Sequence, residues 1–539
     1  MLERTSFHRV AQVMRVVVAS YYDEIFVPIV SDICARSGWT VCDWFSAYAS
    51  RNPAVSPESS FPGAVVHRPE FAARGLLPPE MNATPEPALD QEILAKMAPY
   101  EAMFMRMLDI YDPDGHSFSG RERRFAYFDL LRMALRVVKA HRPGLFIAGT
   151  IPHALHDYML YCVCKTLGID TLIYRTISVP GYMMLHSSLE EGSARLATAY
   201  QTRLSSYDGG PVALPIDFDA YLDRVRRDYA EGEPWYSRLR DRSMLAQRDT
   251  LPWLPDPRRM VRKLRSTARL AVNLLRSPRR AYEEQFVRPM TDIMKRRAIP
   301  LRDTVTTQHE VSRIFDAGLQ TKRRLLAQYR KLERVPDLGA NFVYLPLHYQ
   351  PEASTSPLGG AFLDQLLMIR LLARHLPESW KIYVKEQRSI FDPQLRGHFA
   401  RDLNYYTEIL DVPAATLVPM EIPSFELIDR ARAVAIVTGT AGWEAVVRGV
   451  PALVFGNAWY KDCEGVFDAR SDAGCANAMS EVAGGFRPDL KRVRLFLQAV
   501  AEVALHADRD NTYILTDLTP QQSRAATVEH FLREYPLMT

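Results

Sequence analysis

TGTAGWEAVVRGVPALVFGNAWY, residues 438–460, follows the β-branched run VAIV at 434–437. It reads as a strand end, a small-residue turn, a helix, a second strand and an aromatic-tipped loop. A short Val/Ile-rich run suits a strand buried on both faces of a parallel sheet. Thr438, Gly439, Thr440, Ala441 and Gly442 carry no bulky side chain, so backbone N–H groups and two hydroxyls lie bare where a helix begins. Unpaired N–H groups and the helix dipole both favour an anion there. The competing reading is a small-residue turn needed only for close helix–sheet packing. Glu444 is expected in the first helical turn, bonding a ribose or capping its own helix. Gly449 and Pro451 are expected to stop the helix.

The same alternation extends outward. Strands are expected over 341–346, 380–385, 415–418, 434–437 and 452–455, with helices near 360–375, 392–401, 423–432 and 442–448. In the first half, 145–148 and 171–174 read as parallel strands joined by a helix from Pro152 to Leu167. Helical patterns fall at 89–110 and 121–141, and the prolines between Pro53 and Pro99 suggest an extended excursion. The chain is therefore expected to be α/β, with two Rossmann-like doubly wound domains facing a cleft and a helical, basic insertion. The expected boundaries are 1–215, 216–335 for the insertion, 336–510, and a helical tail at 511–539. Two such units around a cleft suggest the GT-B architecture, shared by many glycosyltransferases and by non-hydrolysing sugar-nucleotide 2-epimerases.

The chain has 539 residues, 47% hydrophobic and 24% charged, with a formal net charge of +4. That composition is ordinary for a globular protein, and the small net charge argues against a nucleic-acid binder. Six cysteines form no CxxC pair, so no cofactor or metal is expected and the thiols read as structural. No secretory signal is read and no apolar run reaches the ~18 residues of a membrane span, so a cytoplasmic location is expected. Residues 258–297 hold thirteen Arg or Lys. They read either as a solvated connector or as a basic amphipathic helix on an anionic membrane surface.

Three further loops carry candidate chemistry. LPLHYQPEASTSPLGG, residues 345–360, crowds His348, Gln350 and Glu352 at a strand C-terminus, where open α/β sheets place ligands. Lys385, Glu386, Gln387 and Arg388 end the next strand, and a cation there could neutralise a leaving phosphate. In the first half, His153, His156 and Asp157 share a helix face beside a strand end, with His153 and Asp157 candidates for the base that deprotonates an acceptor hydroxyl.

YLPLHYQPEASTSPLGG (344–360), YVKEQ (383–387) and VTGTAGWEAVVRGVPALVFGNAWY (437–460) together resemble the capsule polysaccharide biosynthesis glycosyltransferase family. IPHALHDYMLYCVCKTLGI (151–169) is similar to its N-terminal half. Members include transferases that use CMP-activated 3-deoxy-manno-octulosonic acid (Kdo). The resemblance implies a GT-B fold, a nucleotide-sugar donor on the C-terminal domain and a glycan or lipid-linked acceptor at the N-terminal domain. Thr438, Gly439, Thr440 and Glu444 would hold donor phosphate and ribose, Lys385 and Gln387 the leaving phosphate, and His348 and Glu352 the sugar, with Gln350 and Arg388 as further donor-binding candidates. The catalytic base is left among Glu352, His153 and Asp157. Where the family commonly reads Lys-Glu-His-Pro, this chain has Lys385-Glu386-Gln387-Arg388, a departure at the portion associated with CMP. A sugar-nucleotide 2-epimerase and an inactive assembly partner remain the alternatives.

Overall fold

The computed structural model describes residues 13–48, 52–72, 75–111, 119–227, 308–350, 352–392, 395, 397–508 and 515–538. The basic segment 258–297, with its membrane-surface reading, lies outside them.

Two sheets organise the chain. The first contains β1 (Arg15–Tyr22), β2 (Thr40–Tyr48), β3 (Val65–His67), β4 (Leu145–Ala148), β5 (Asp170–Thr176), β6 (Tyr182–His186) and β13 (Leu505–His506), in the order β13-β6-β5-β4-β1-β2-β3. The second contains β7 (Phe342–Pro346), β8 (Lys381–Lys385), β9 (Ala415–Leu417), β10 (Ala433–Ile436), β11 (Ala452–Val454) and β12 (Val466–Asp468), in the order β12-β11-β10-β7-β8-β9. All pairs in the second sheet are parallel. In the first, β6 is antiparallel to both β5 and β13.

Both sheets start in the middle, grow to one edge, then return and grow to the other. That reversal lies between β1 and β4 in the first sheet and between β7 and β10 in the second. A doubly wound sheet places its ligand outside the strand C-termini at such a reversal. The strands have the expected residue types: VVVA, LFIA, FVYL and AVAI are fully buried in their cores. The expected α/β, doubly wound class is what the topology shows.

Several local expectations shift. The helix after β4 spans Leu155–Thr166, so Pro152 lies in the preceding loop instead of at its first position. The helix after β10 spans Thr440–Val447 and stops at Gly449, whose φ of +81° suits glycine. Glu444 is therefore its fifth residue, two positions past the one from which a carboxylate caps the helix. The segment expected as a helix near 392–401 contains instead a short 3-10 turn, Gly397–Ala400, and another, Arg388–Phe391, lies just before it. The stretch after Pro53 is not merely extended: it folds into short helices and β3, the edge strand of the first sheet.

The two halves share cores. Leu358 and Leu363, after β7, belong to the same apolar cluster as Leu155, Tyr158 and Leu189. Phe218, Tyr221 and Val225, from the helix Ile216–Arg227, pack with Trp443, Val447 and Phe496. The helix Pro520–Met538 returns to the first half, where Trp39 meets Phe531 and Tyr535 edge-on.

Candidate functional site

The loops after β7, β8 and β10 follow three neighbouring strands, so the topology brings residues distant in sequence to one edge. At the reversal point, His348 lies against the turn after β10. Its Nε2 accepts the Val437 N–H at 3.2 Å. Nε2 therefore carries no proton, and the neutral ring holds its hydrogen on Nδ1. Burial, then the nearby Arg401 charge, push its pKa down to about 4, so the ring is neutral at physiological pH. A Cβ built on Gly439 would stand 2.7 Å from His348 Cε1. Only glycine allows this approach, which joins the 345–360 loop and the 438–440 turn into one cradle.

Beneath the cradle is a buried polar frame. Arg401 and Glu386 form a fully buried ion pair, Nε to Oε2 at 2.8 Å. Arg401 also donates to the His348 carbonyl at 3.0 Å and to Gln350 Oε1 at 3.1 Å, while Tyr406 donates to Glu386 at 2.9 Å. Gln365 accepts the His348 N–H at 2.7 Å. A buried charge pair is tolerated when its geometry is good and its remaining bonds are met, and both conditions hold here.

This frame revises several expected roles. Gln350 is buried: its Nε2 donates to Leu363 O at 2.6 Å and its Oε1 accepts from both Gln365 and Arg401. Its amide shapes the loop instead of facing a ligand. Lys385 donates to Ile422 O at 2.6 Å and to Ser424 Oγ at 2.9 Å, and burial followed by the Arg388 charge lowers its pKa to about 8. Its ammonium is anchored inside, whereas Arg388 is exposed at the same edge. Gln387 Oε1 accepts the Tyr349 N–H at 2.8 Å, tying the β8 loop to the β7 loop. The Thr438 hydroxyl donates to Ser354 O, while Gly439 and Thr440 stay partly accessible. Glu444 is buried within electrostatic reach of Lys385, Tyr344 and Tyr460. Glu352 is exposed and its carboxylate accepts from Ser354 Oγ at 3.2 Å.

On the first sheet, the candidates stand at its own reversal point. The His153 ring is 5.9 Å from that of Tyr21 at the end of β1. Its Nδ1 donates to the Ile151 carbonyl at 2.7 Å, which in the neutral ring puts the lone pair on Nε2. Asp157 is in the first turn of the helix Leu155–Thr166. Burial raises its carboxyl to about 8 against the pull of four backbone N–H groups, so it keeps its proton near neutrality. The pair thus offers a candidate base and a candidate acid four positions apart in sequence. His156 is buried beside Phe45, and burial pushes its pKa down to about 4.

Sequence reasoning missed three features. Asp23, buried at the end of β1, accepts from Trp44 Nε1 at 2.9 Å and Ser46 Oγ at 2.7 Å. Arg175, at the end of β5, reaches across to the Asn457 carbonyl at 2.7 Å. Strand ends in ASYYDE and IYRT were the available signals. The third is a cluster brought together in space: among the described residues, Cys42, Asp43 and His141 place ligand atoms within 4.8 Å of one another. Asp43 already bonds His67 Nε2 at 2.8 Å and His141 Nδ1 through its second oxygen, which closes a His–Asp–His network. No helix among the described residues is long and apolar enough to cross a membrane.

No curated protein sequence matches the chain. Among solved structures, it is similar to KpsC, beta Kdo 2,7 transferase, from Thermosulfurimonas dismutans at 16% identity and a TM-score of 0.24, covering 40% of this chain and 61% of that one. The chain thus spans under two thirds of that protein. It is similar to the UDP-GlcNAc 2-epimerase of Methanocaldococcus jannaschii at 9% identity and a TM-score of 0.23, covering 91% and 100%. A third likeness is the glycosyltransferase SnogD from Streptomyces nogalater, at 12% identity and a TM-score of 0.18, covering 96% and 99%. Scores this low carry no argument about this chain. The informative match is to a family model, described as capsule polysaccharide biosynthesis protein, over residues 356–483. That span begins in the β7 loop and contains β8, β10, the 438–444 turn and β11, so the resemblance of this chain to the capsule polysaccharide biosynthesis family is borne out over this part of the second sheet.

Proposed function

We propose that the protein transfers a sugar from a nucleotide donor onto a surface-polysaccharide or lipid-linked acceptor. The contact between His348 and Gly439 at the reversal point of the second sheet carries this reading. The partly accessible 439–440 turn, the neutral His348 ring packed against it and the exposed Arg388 at the same edge support a nucleotide diphosphate or monophosphate there. A CMP-linked donor is favoured by the family resemblance, with Gln387-Arg388 replacing the usual His-Pro pair. His153 Nε2 takes the proton of the acceptor hydroxyl as it attacks the anomeric carbon, with protonated Asp157 in the first turn of the following helix. The leaving nucleotide departs with the bonding electrons, its charge met by the donors of the cradle.

Acceptor dependence tests the proposal. Purified protein with CMP-, UDP- and GDP-sugars is expected to release nucleotide only when a glycan or lipid-linked acceptor is added. Turnover of a free sugar nucleotide into its 2-epimer without acceptor would establish the epimerase alternative and end this reading.

A further inference from the structure

Arg175 is buried, 6% exposed, yet among the described residues its guanidinium faces no carboxylate partner. Its Nη2 donates to Asn457 O at 2.7 Å, and its Nη1 has no hydrogen-bond partner. His186, 2% exposed, has both ring nitrogens unpartnered, and the Asn457 side-chain oxygen is unpartnered as well. These orphans are neighbours. Ile173 pairs with His186 and Arg175 with Met184 in the antiparallel β5–β6 ladder, so Arg175 and His186 sit diagonally on one face. Asn457 follows the C-terminus of β11 and is fixed across the seam by its Nδ2, which donates to Leu189 O at 2.8 Å and Glu191 O at 2.6 Å. The neighbouring carboxylate Glu190 accepts from Tyr161 and Ser188 instead. Burial, with the charges of Arg175 and Lys461, keeps His186 neutral.

Buried polar groups in native proteins are almost always satisfied, and a water can satisfy an N–H. A water cannot neutralise a buried cation, which is costly when uncompensated. The unmet group at Arg175 therefore calls for negative charge. One His186 nitrogen and Asn457 Oδ1 are acceptors, so the occupant must also donate hydrogen bonds.

We infer that Arg175, His186 and Asn457 form an oxyanion subsite at the seam between the sheets, built for the carboxylate or phosphate of a hydroxylated ligand. It deepens the transferase reading by requiring an acidic group on one substrate, and it rests on that reading only for which substrate brings the group.

The test is calorimetric titration and melting of the full chain with pyrophosphate, with free Kdo as a hydroxylated carboxylate, and with glucose as a neutral control, at constant ionic strength. One of the two anions is expected to bind and glucose not to; which anion binds tells phosphate from carboxylate. Affinity for it should fall at least tenfold in Arg175→Met and several-fold in His186→Phe, while nucleotide binding is retained. Anion-free Arg175→Met should melt at or above wild type, because an uncompensated cation is removed. Binding of neither anion, equal binding by Arg175→Met, or a lower anion-free melting point with unchanged binding in His186→Phe would overturn the subsite and leave Arg175 a structural tie. Nucleotide titrations of the same proteins report on the donor reading separately.

Discussion

The two reversal points share a topology and differ in how their polar atoms are satisfied. At the second sheet, His348, Gln350, Glu386 and Arg401 bond one another in a closed frame. At the first, Asp157 Oδ1 and His156 Nδ1 are buried without partners, and Asp157 holds a displaced pKa. A closed frame suits a cradle that must keep its shape when a nucleotide arrives. Unmet buried atoms beside a carboxyl that titrates near neutrality suit proton transfer, which needs groups poised between two states. Under the proposed transfer, the comparison assigns donor binding to one edge and proton transfer to the other.

The sharpest way to break it is His153→Gln. Removing the base should lower turnover by about 10²–10⁴-fold while leaving nucleotide affinity within a factor of two or so. Loss of nucleotide binding in that variant would put both tasks on one edge. Next, Glu386→Gln leaves the buried Arg401 guanidinium without its counter-charge. Chemical unfolding should show a loss of about 3–5 kcal/mol, and the double variant Glu386→Leu/Arg401→Met should recover most of it. Equal losses in the single and double variants would mean the frame acts through packing and not charge.

Gly439→Ala is milder. Its φ of −71° is open to any residue, so only the crowding against His348 matters. Overpacking of about 1–3 kcal/mol at the cradle should weaken nucleotide binding roughly tenfold or more, with the fold kept. The smallest effect is a pH slope. The folded pKa of Asp157 is raised from 3.8 to about 8, so the native state binds more protons between those values. Stability from this group is complete below about pH 3.8 and is lost as pH rises through about 8. Asp157→Asn should flatten that part of the stability profile, read from urea titrations at several pH values. An unchanged slope would remove Asp157 from the proton-transfer pair.

What could be read in advance follows the same divide. VAIV, TGTAG and the Gly449 stop were legible because a buried parallel strand, a bare turn and a helix end each leave a local residue signature. The family match at 356–483 falls on that half too. Roles within the cradle were less legible: Gln350 and Lys385 are polar residues at a strand end in sequence, yet in space both are engaged by Leu363, Arg401, Ile422 and Ser424. Arg175 and Asn457 are 282 positions apart, and no local pattern pairs them. The split between His153 and Asp157 needed burial, which creates the raised carboxyl and is invisible in HALHD.

The central claim is that the second sheet's reversal point holds the donor nucleotide. The most direct test is a thermal-shift and titration panel of CMP, UDP and GDP on wild type, Gly439→Ala and His153→Gln. A ligand at 100 times its dissociation constant should add about 2.7 kcal/mol of stability. The account expects one nucleotide to shift wild type and His153→Gln alike, with the shift largely lost in Gly439→Ala. A flat panel on folded wild type, or an undiminished shift in Gly439→Ala, would contradict it.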